Sequence, residues 1–330
     1  MTARRLRPAV GLALTAAGAV SWALALAFLD HAARAGEKAS SAVDDEGIPG
    51  DRWLSLWVHD LRWAAIIVVV CGLALTVRGS GWRKHAALVA GGLVLLVADG
   101  VFTSMRATGW SAAAGALGVA SAVAAAVATR RPDAKAEDPQ RHLVGYGIVA
   151  ACCAPLLLTN AQSEAGRFIP AGMTAGLGIV QVLLVLAAIS CAVSAMPHVP
   201  RAAVPLAAGF AAVLGTAGAL AAGNTDVVFA ILLGGPLVVA VLALTARPRS
   251  ARSYLALAAI VAGYPFVLLV VSFTTVEPMA GALALSGDSY SADGIAAVPA
   301  GLLAGAVAGL LTVWTRSSRR PAAPVQTNRA

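Results

Sequence analysis

Three arginines, Arg4, Arg5 and Arg7, stand immediately before Pro8–Leu29, a run of 22 residues without a charge. No other feature limits the fold so strongly. A run of that length spans a hydrocarbon core of roughly 30 Å, and the positive charge before it holds its start on the cytoplasmic side. Every later span then has a forced direction. The h-region of a secretory signal is shorter, about 7–15 residues, so the run reads as a spanning anchor. Membrane orientation also accounts for the Arg4-Arg5 pair without an export signal.

Nine further charge-poor runs follow: Trp63–Val77, Ala86–Met105 with Asp99 inside it, Ala107–Thr129, Leu143–Ser163, Phe168–Pro197, Ala202–Thr225, Val227–Ala246, Ser253–Val276 and Gly294–Thr315. The expected fold is therefore all-α, a polytopic bundle of about ten transmembrane helices with both termini cytoplasmic. The charges agree with that threading. It places 18 of the 24 basic residues in inner segments, and only Asp133, Glu137 and Asp138 of the 16 acids. Short loops rich in Lys and Arg stay inside. A mixed-charge linker around Pro132 and Pro139 divides the chain into a first half, 1–140, and a second half, 141–315, each of five spans, with a basic tail at 316–330 expected to be disordered. The Gly172–Gly176 and Gly305–Gly309 pairs have the small-xxx-small form of closely packed helices.

Composition excludes the soluble classes. Hydrophobic residues make up 59% of the chain and charged residues 12%, where a soluble domain carries about 25% charge. The net charge of +8 is spread over short clusters between apolar runs, a membrane-orientation pattern that offers no phosphate-binding face, so no nucleic-acid partner is expected. The bilayer is the expected partner. Arg outnumbers Lys 21 to 3, which fits a GC-rich bacterial genome and placement in the inner (plasma) membrane. Cys71, Cys152, Cys153 and Cys191 all lie inside apolar runs and read as small packing residues. Phosphate loops, HExxH, CxxC and nucleophile elbows are absent, so neither a cofactor nor a metal is expected.

The longest connection, Asp30 to Arg62, falls outside. Its second part, 51–62, has two faces. Trp53, Leu54, Leu56, Trp57, Val58 and Leu61 are apolar, while Arg52, Ser55, His59 and Arg62 recur at spacings of three and four, with Asp51 placed to cap the helix. It reads as an interfacial helix whose Arg52, His59 and Arg62 meet lipid phosphates or an anionic solute. The following span has only 15 residues, so it either borrows Leu56–Leu61 or lets its flanking arginines snorkel.

Polar or broken positions inside the spans are the remaining sites for chemistry. Asp99 sits roughly 20 Å above the inner edge, and Gln181 about 12 Å below the outer edge. Pro155, Pro236 and Pro265 fall in the same layer, the last two within Gly234-Gly235-Pro236 and Gly263-Tyr264-Pro265. Broken helices at mid-membrane mark transporter binding sites, because freed backbone groups can face a ligand. Asp99, Gln181, Pro236, Tyr264 and Pro265 are thus the expected substrate contacts. The alternative for Asp99 is an outer-leaflet residue reaching the interface, or an ion pair with a nearby arginine such as Arg106 or Arg62. For the prolines it is plain kinking, and for Gln181 interhelical hydrogen bonding.

Three functional classes remain. The first is a carrier or permease for a small-molecule solute. In length and span count the outline resembles ten-span drug/metabolite-type carriers, which implies transport, although the long outer loop and the missing internal repeat depart from them. The second is a non-catalytic subunit or scaffold with a membrane-protein partner, favoured by the scarcity of buried polar groups. The third is a lipid-handling enzyme at the outer face, resting on His59-Asp60.

Overall fold

A computed structural model describes residues 3–33, 53–77, 82–129, 140–154 and 171–195, with further positions at 35, 270, 274, 298, 301–303 and 305–306. Among the described residues there are helices and no strands. We label them α1 (Ala3–Leu24), α2 (Trp53–Thr76), α3 (Trp82–Ser104), α4 (Gly109–Ala128), α5 (Gln140–Cys153) and α6 (Ala171–Ser194). Among the described residues, five apolar stretches are long enough to cross a membrane: Arg7–Ala33, Trp57–Thr76, Arg83–Ser104, Gly109–Ala128 and Ala175–Ser194. The shorter stretch His142–Cys153 belongs to α5. Of the later runs, Ala202–Thr225 and Val227–Ala246 lie outside the described residues, as do Arg52, Pro155, Pro236, Tyr264 and Pro265.

The surfaces turned outward are as apolar as those turned inward. Val89, Leu93, Val97 and Val101 are exposed along α3, and Ile179, Val182 and Leu186 along α6. A helix apolar all round suits a hydrocarbon surround, and this is an all-α membrane bundle. Its centre is α2, where 89% of the span is buried, against 28% for α3 and 33% for α4.

Within lipid, apolar contact does not by itself drive helices together, and close packing must do so. The most extensive contact is between α1 and α2, and glycine makes it. A Cβ on Gly72 would lie 2.6 Å from the Thr15 backbone nitrogen and 2.8 Å from the Gly11 oxygen. On Gly11 it would lie 2.7 Å from the Gly72 oxygen. Neither backbone has room for a side chain. Arg7 closes one end of this pair. Its Nε donates to the Leu75 carbonyl at 3.0 Å and its Nη2 to the Val77 and Ala74 carbonyls at 3.3 and 3.4 Å. These are the last carbonyls of α2, which lack helical partners and carry partial negative charge. The Gly172 and Gly176 positions face side chains instead, Leu29 at 3.7 and 3.3 Å, while a Cβ on Gly305 would stand 2.6 Å from the Val149 Cα of α5.

Two departures from regular helix shape the other end of the pair. The first is a π turn, Ala25–Leu29, with the Asp30 N–H bonded to the Ala25 carbonyl. At about 100° per residue a regular helix would carry Asp30 about 80° away from Trp22. The wider turn recovers most of that rotation, and both residues are buried, at 3% and 0% exposure. The second ends α3. Arg106 N–H bonds the Thr103 carbonyl and Ala107 N–H bonds the Phe102 carbonyl, with Arg106 at φ 52. This is a Schellman cap with arginine where glycine is usual.

The segment 53–62 is the start of α2, continuous with the span that follows. The apolar span of α2 begins at Trp57, so it takes in most of the Leu56–Leu61 stretch, one of its two expected routes to spanning length. Arg62 is accommodated there because Asp30 and Asp99 meet it inside the bundle.

Candidate functional site

Asp99 and Arg62 meet inside the bundle. Arg62 comes from the third turn of α2 and Asp99 from the second-last turn of α3. Arg62 donates from Nε to Asp99 Oδ1 at 2.8 Å and from Nη2 to Oδ2 at 2.7 Å. This is the bidentate fork that guanidinium and carboxylate geometry favour. Trp22 of α1 donates its indole N–H to Oδ1 at 2.7 Å, and Trp63 of α2 donates to Oδ2 at 3.2 Å. Thr103 Oγ1 accepts from Arg62 Nη2 and donates to the Asp99 backbone carbonyl at 2.8 Å. On the far side Arg62 Nη1 lies 3.7 Å from Asp30 Oδ1.

A carboxylate offers about four acceptor positions, and Asp99 has four donors. Asp99 is 1% exposed and Arg62 0%. The carboxylate is thus saturated and sealed. It ties α1, α2 and α3 together and leaves no side for a solute. Of the two pairings open to Asp99 in the sequence, Arg62 is the one found. Arg106 sits in the exposed turn beyond α3. Arg62 and His59, placed by their spacing on an outward stripe, are both buried, His59 at 2% exposure. The spacing does not set off an outward face here, because Trp57 to Arg62 are all buried.

Gln181 is also buried, at 3% exposure, and its Nε2 has no hydrogen-bond partner among the described residues. All four cysteines are free and buried. The described residues contain no cluster of three or more His, Cys, Asp or Glu able to hold a metal ion.

The space in this part of the bundle lies elsewhere. A cavity of about 540 Å³ runs between α2, α3, α5 and the residues Val298, Leu302 and Ala306. Ile67, Val70, Leu96, Val149 and Leu302 give it apolar walls. Trp63 stands at one end, its indole N–H turned away to Asp99. Tyr146 and Cys71 stand at the other. Val89 and Leu93 line the cavity yet remain 56% and 57% exposed, so it opens at the surface along α3. Its volume is in the range of ligand sites, roughly 300–1,000 Å³.

A polar group adjoins the Tyr146 end. The Tyr146 hydroxyl is 3.4 Å from His85 Nδ1. The His85 and His142 rings lie against each other, tilted, with centroids 3.5 Å apart and planes at 31°. His85 Nε2 is buried with no hydrogen-bond partner among the described residues. Sequence reasoning did not single out either histidine. One signal was present: each directly follows a basic residue at the start of an apolar run, Lys84-His85 and Arg141-His142.

No protein-family model matches the chain, no curated protein matches it, and no solved structure matches it.

Proposed function

We propose that this protein is a membrane carrier that takes a small, largely apolar solute into the cleft between α2, α3 and α5. The observation that supports it is the cleft itself: about 540 Å³ of apolar-walled space opening at the surface along α3. The saturated Asp99 carboxylate argues against a polar solute at mid-membrane and reads as a clamp holding the walls. Gln181, with its unpartnered amide, is the remaining polar candidate within the spans. In this reading the chain has ten spans, both termini cytoplasmic, in the plasma (inner) membrane of a bacterium, as the distribution of 18 basic residues over the inner segments suggests.

The test is flux of lipophilic fluorescent dyes, one neutral and one anionic, from proteoliposomes. Wild-type protein should release dye faster than empty liposomes, and Val89→Phe, which narrows the cleft from its exposed side, should not. Release equal to that of empty liposomes would remove the carrier reading. A second reading, a non-catalytic subunit with a membrane-protein partner, is favoured by the saturated Asp99 carboxylate, which holds helices together without an open polar site. A stoichiometric partner after purification in mild detergent would support it, and a lone active carrier would exclude it.

A further inference from the structure

We infer that His85 and His142 form a proton-sensitive latch. Neutral or singly protonated, the two rings hold the starts of α3 and α5 together at one end of the cleft, and a second proton drives them apart and widens it. The inference goes beyond the carrier reading, because it concerns the distance between two helices and stands whether or not a solute crosses.

Placement is the first argument. Two walls of the cleft come from α3, through Leu88, Val89 and Leu96, and from α5, through Tyr146 and Val149. Among the described residues α3 packs chiefly on α2 and α4, and α5 on α6 and α2, with little contact between α3 and α5 themselves. The imidazole pair bridges that gap. His85 stands one turn before Leu88 and Val89, and His142 one turn before Tyr146. Their ring centroids are 3.5 Å apart. Tyr146 extends the group, its ring centroid 6.1 Å from that of His85 with planes at 28°, and its hydroxyl 3.4 Å from His85 Nδ1. A change in the spacing of the two histidines is therefore a change in the width of the cleft at that end.

The second argument is the chemistry of two imidazoles in contact. Histidine is the side chain that ordinarily changes charge near neutral pH. Two rings this close take up protons as a pair, in two steps. The first proton puts a single charge on the pair. The second sets like charges at van der Waals distance, and their repulsion persists over several ångströms because the Debye length is about 8 Å at physiological ionic strength. Both rings are partly exposed, so protons reach them from solution. The described titratable and charged groups on the helices around the pair are Arg83 and Lys84 on α3, Tyr146 on α5, Cys71 on α2, Cys191 on α6 and Arg7 on α1, and the described part of α4 brings none. The charged ones among them are all cations, none of which would hold two protonated rings together.

The test measures the distance between α3 and α5 in the full-length protein in nanodiscs of a zwitterionic phospholipid. Nitroxide labels on Ala90→Cys and Gly145→Cys are read by dipolar electron paramagnetic resonance from about pH 8 to about pH 4, across the imidazole range. Ala90 is exposed and a Cβ on Gly145 meets open space, so both positions accept a label. Mass spectrometry checks that the buried native cysteines stay unlabelled. The wild-type distance should lengthen by about 2 Å in acid, the scale of helix shifts at packed interfaces, and return on neutralisation. His85→Phe keeps a ring against His142 and leaves one titrating imidazole, so its distance should hold the neutral value down to the lowest pH. His142→Gln removes the other imidazole with a smaller polar side chain and should behave alike, so the test does not hang on the folding of one variant. A wild-type distance that does not change with pH would overturn the inference. A change of equal size in either folded variant would also overturn it, by tracing the movement to other acid-sensitive groups such as the Asp99 cluster. Dye flux is no part of this readout, so the carrier reading and the latch fail separately.

Discussion

The Asp99 cluster and the apolar cleft share a residue, Trp63, and differ in every other respect. The cluster gathers charge, and each acceptor position of Asp99 is filled. The cleft gathers space, with one ring nitrogen unpartnered among the described residues, His85 Nε2, beyond its far end. An ionisable residue within a span is a functional candidate by default, and Asp99 is the most conspicuous one in this sequence. Its surroundings show why that default needs a geometric check. A carboxylate with four donors and 1% exposure holds helices together, whereas a ligand needs room and an unsatisfied partner. The two regions divide those tasks.

The largest expected effect tests the clamp. Removing one member of a buried ion pair leaves an uncompensated charge, at a cost of about 3–5 kcal/mol. Asp99→Asn and Arg62→Leu should each destabilise by that order in thermal or denaturant unfolding. The double variant Arg62→Leu/Asp99→Leu should recover more than half of the loss, since paired apolar replacements are often close to neutral. If the singles were mild, Asp99 would be solvated and open, and the division between the regions would collapse.

The next effect concerns the other fastening of the same helices. Gly72→Ala places a Cβ 2.6 Å from the Thr15 backbone nitrogen, so α1 and α2 must separate, at about 1–3 kcal/mol. Unfolding with unchanged stability would mean that the pair is not packed as closely as described. Val89→Phe sharpens the contrast from the cleft side. Val89 is more than half exposed, so its stability change should stay within about 0.5 kcal/mol while flux through the cleft is lost. The smallest effect is Arg106→Gly. It relieves a left-handed backbone conformation and should stabilise by about 1 kcal/mol. It touches neither region, so flux should be unchanged, which makes it a control for stability effects on transport.

The spans were legible because a long charge-free run leaves a chain little choice. Pro8–Leu29, Ala86–Met105 and Ala107–Thr129 lie within or closely follow described helices. The pairing of Asp99 with Arg62 is one of the readings the sequence allows, beside Arg106 and the outer interface. Spacing fixes which residues share a helical face, while the direction in which that face points depends on neighbours distant in sequence. The π turn that brings Asp30 onto the side of Trp22 has no evident sequence signal, and the backbone approach at Gly72 is one glycine among 33. The cleft was invisible for a simpler reason. Ile67, Val70, Leu96 and Val149 are the same residue types that fill a packed core, and a sequence carries no record of space.

Dye flux by Val89→Phe and by Arg62→Leu/Asp99→Leu, measured side by side in proteoliposomes, tests the central claim most directly. If the cluster is a clamp and the cleft is the solute site, the folded double variant releases dye as the wild type does and Val89→Phe does not. Loss of flux in the folded double variant, with Val89→Phe unaffected, would place the site at Asp99 and contradict the account.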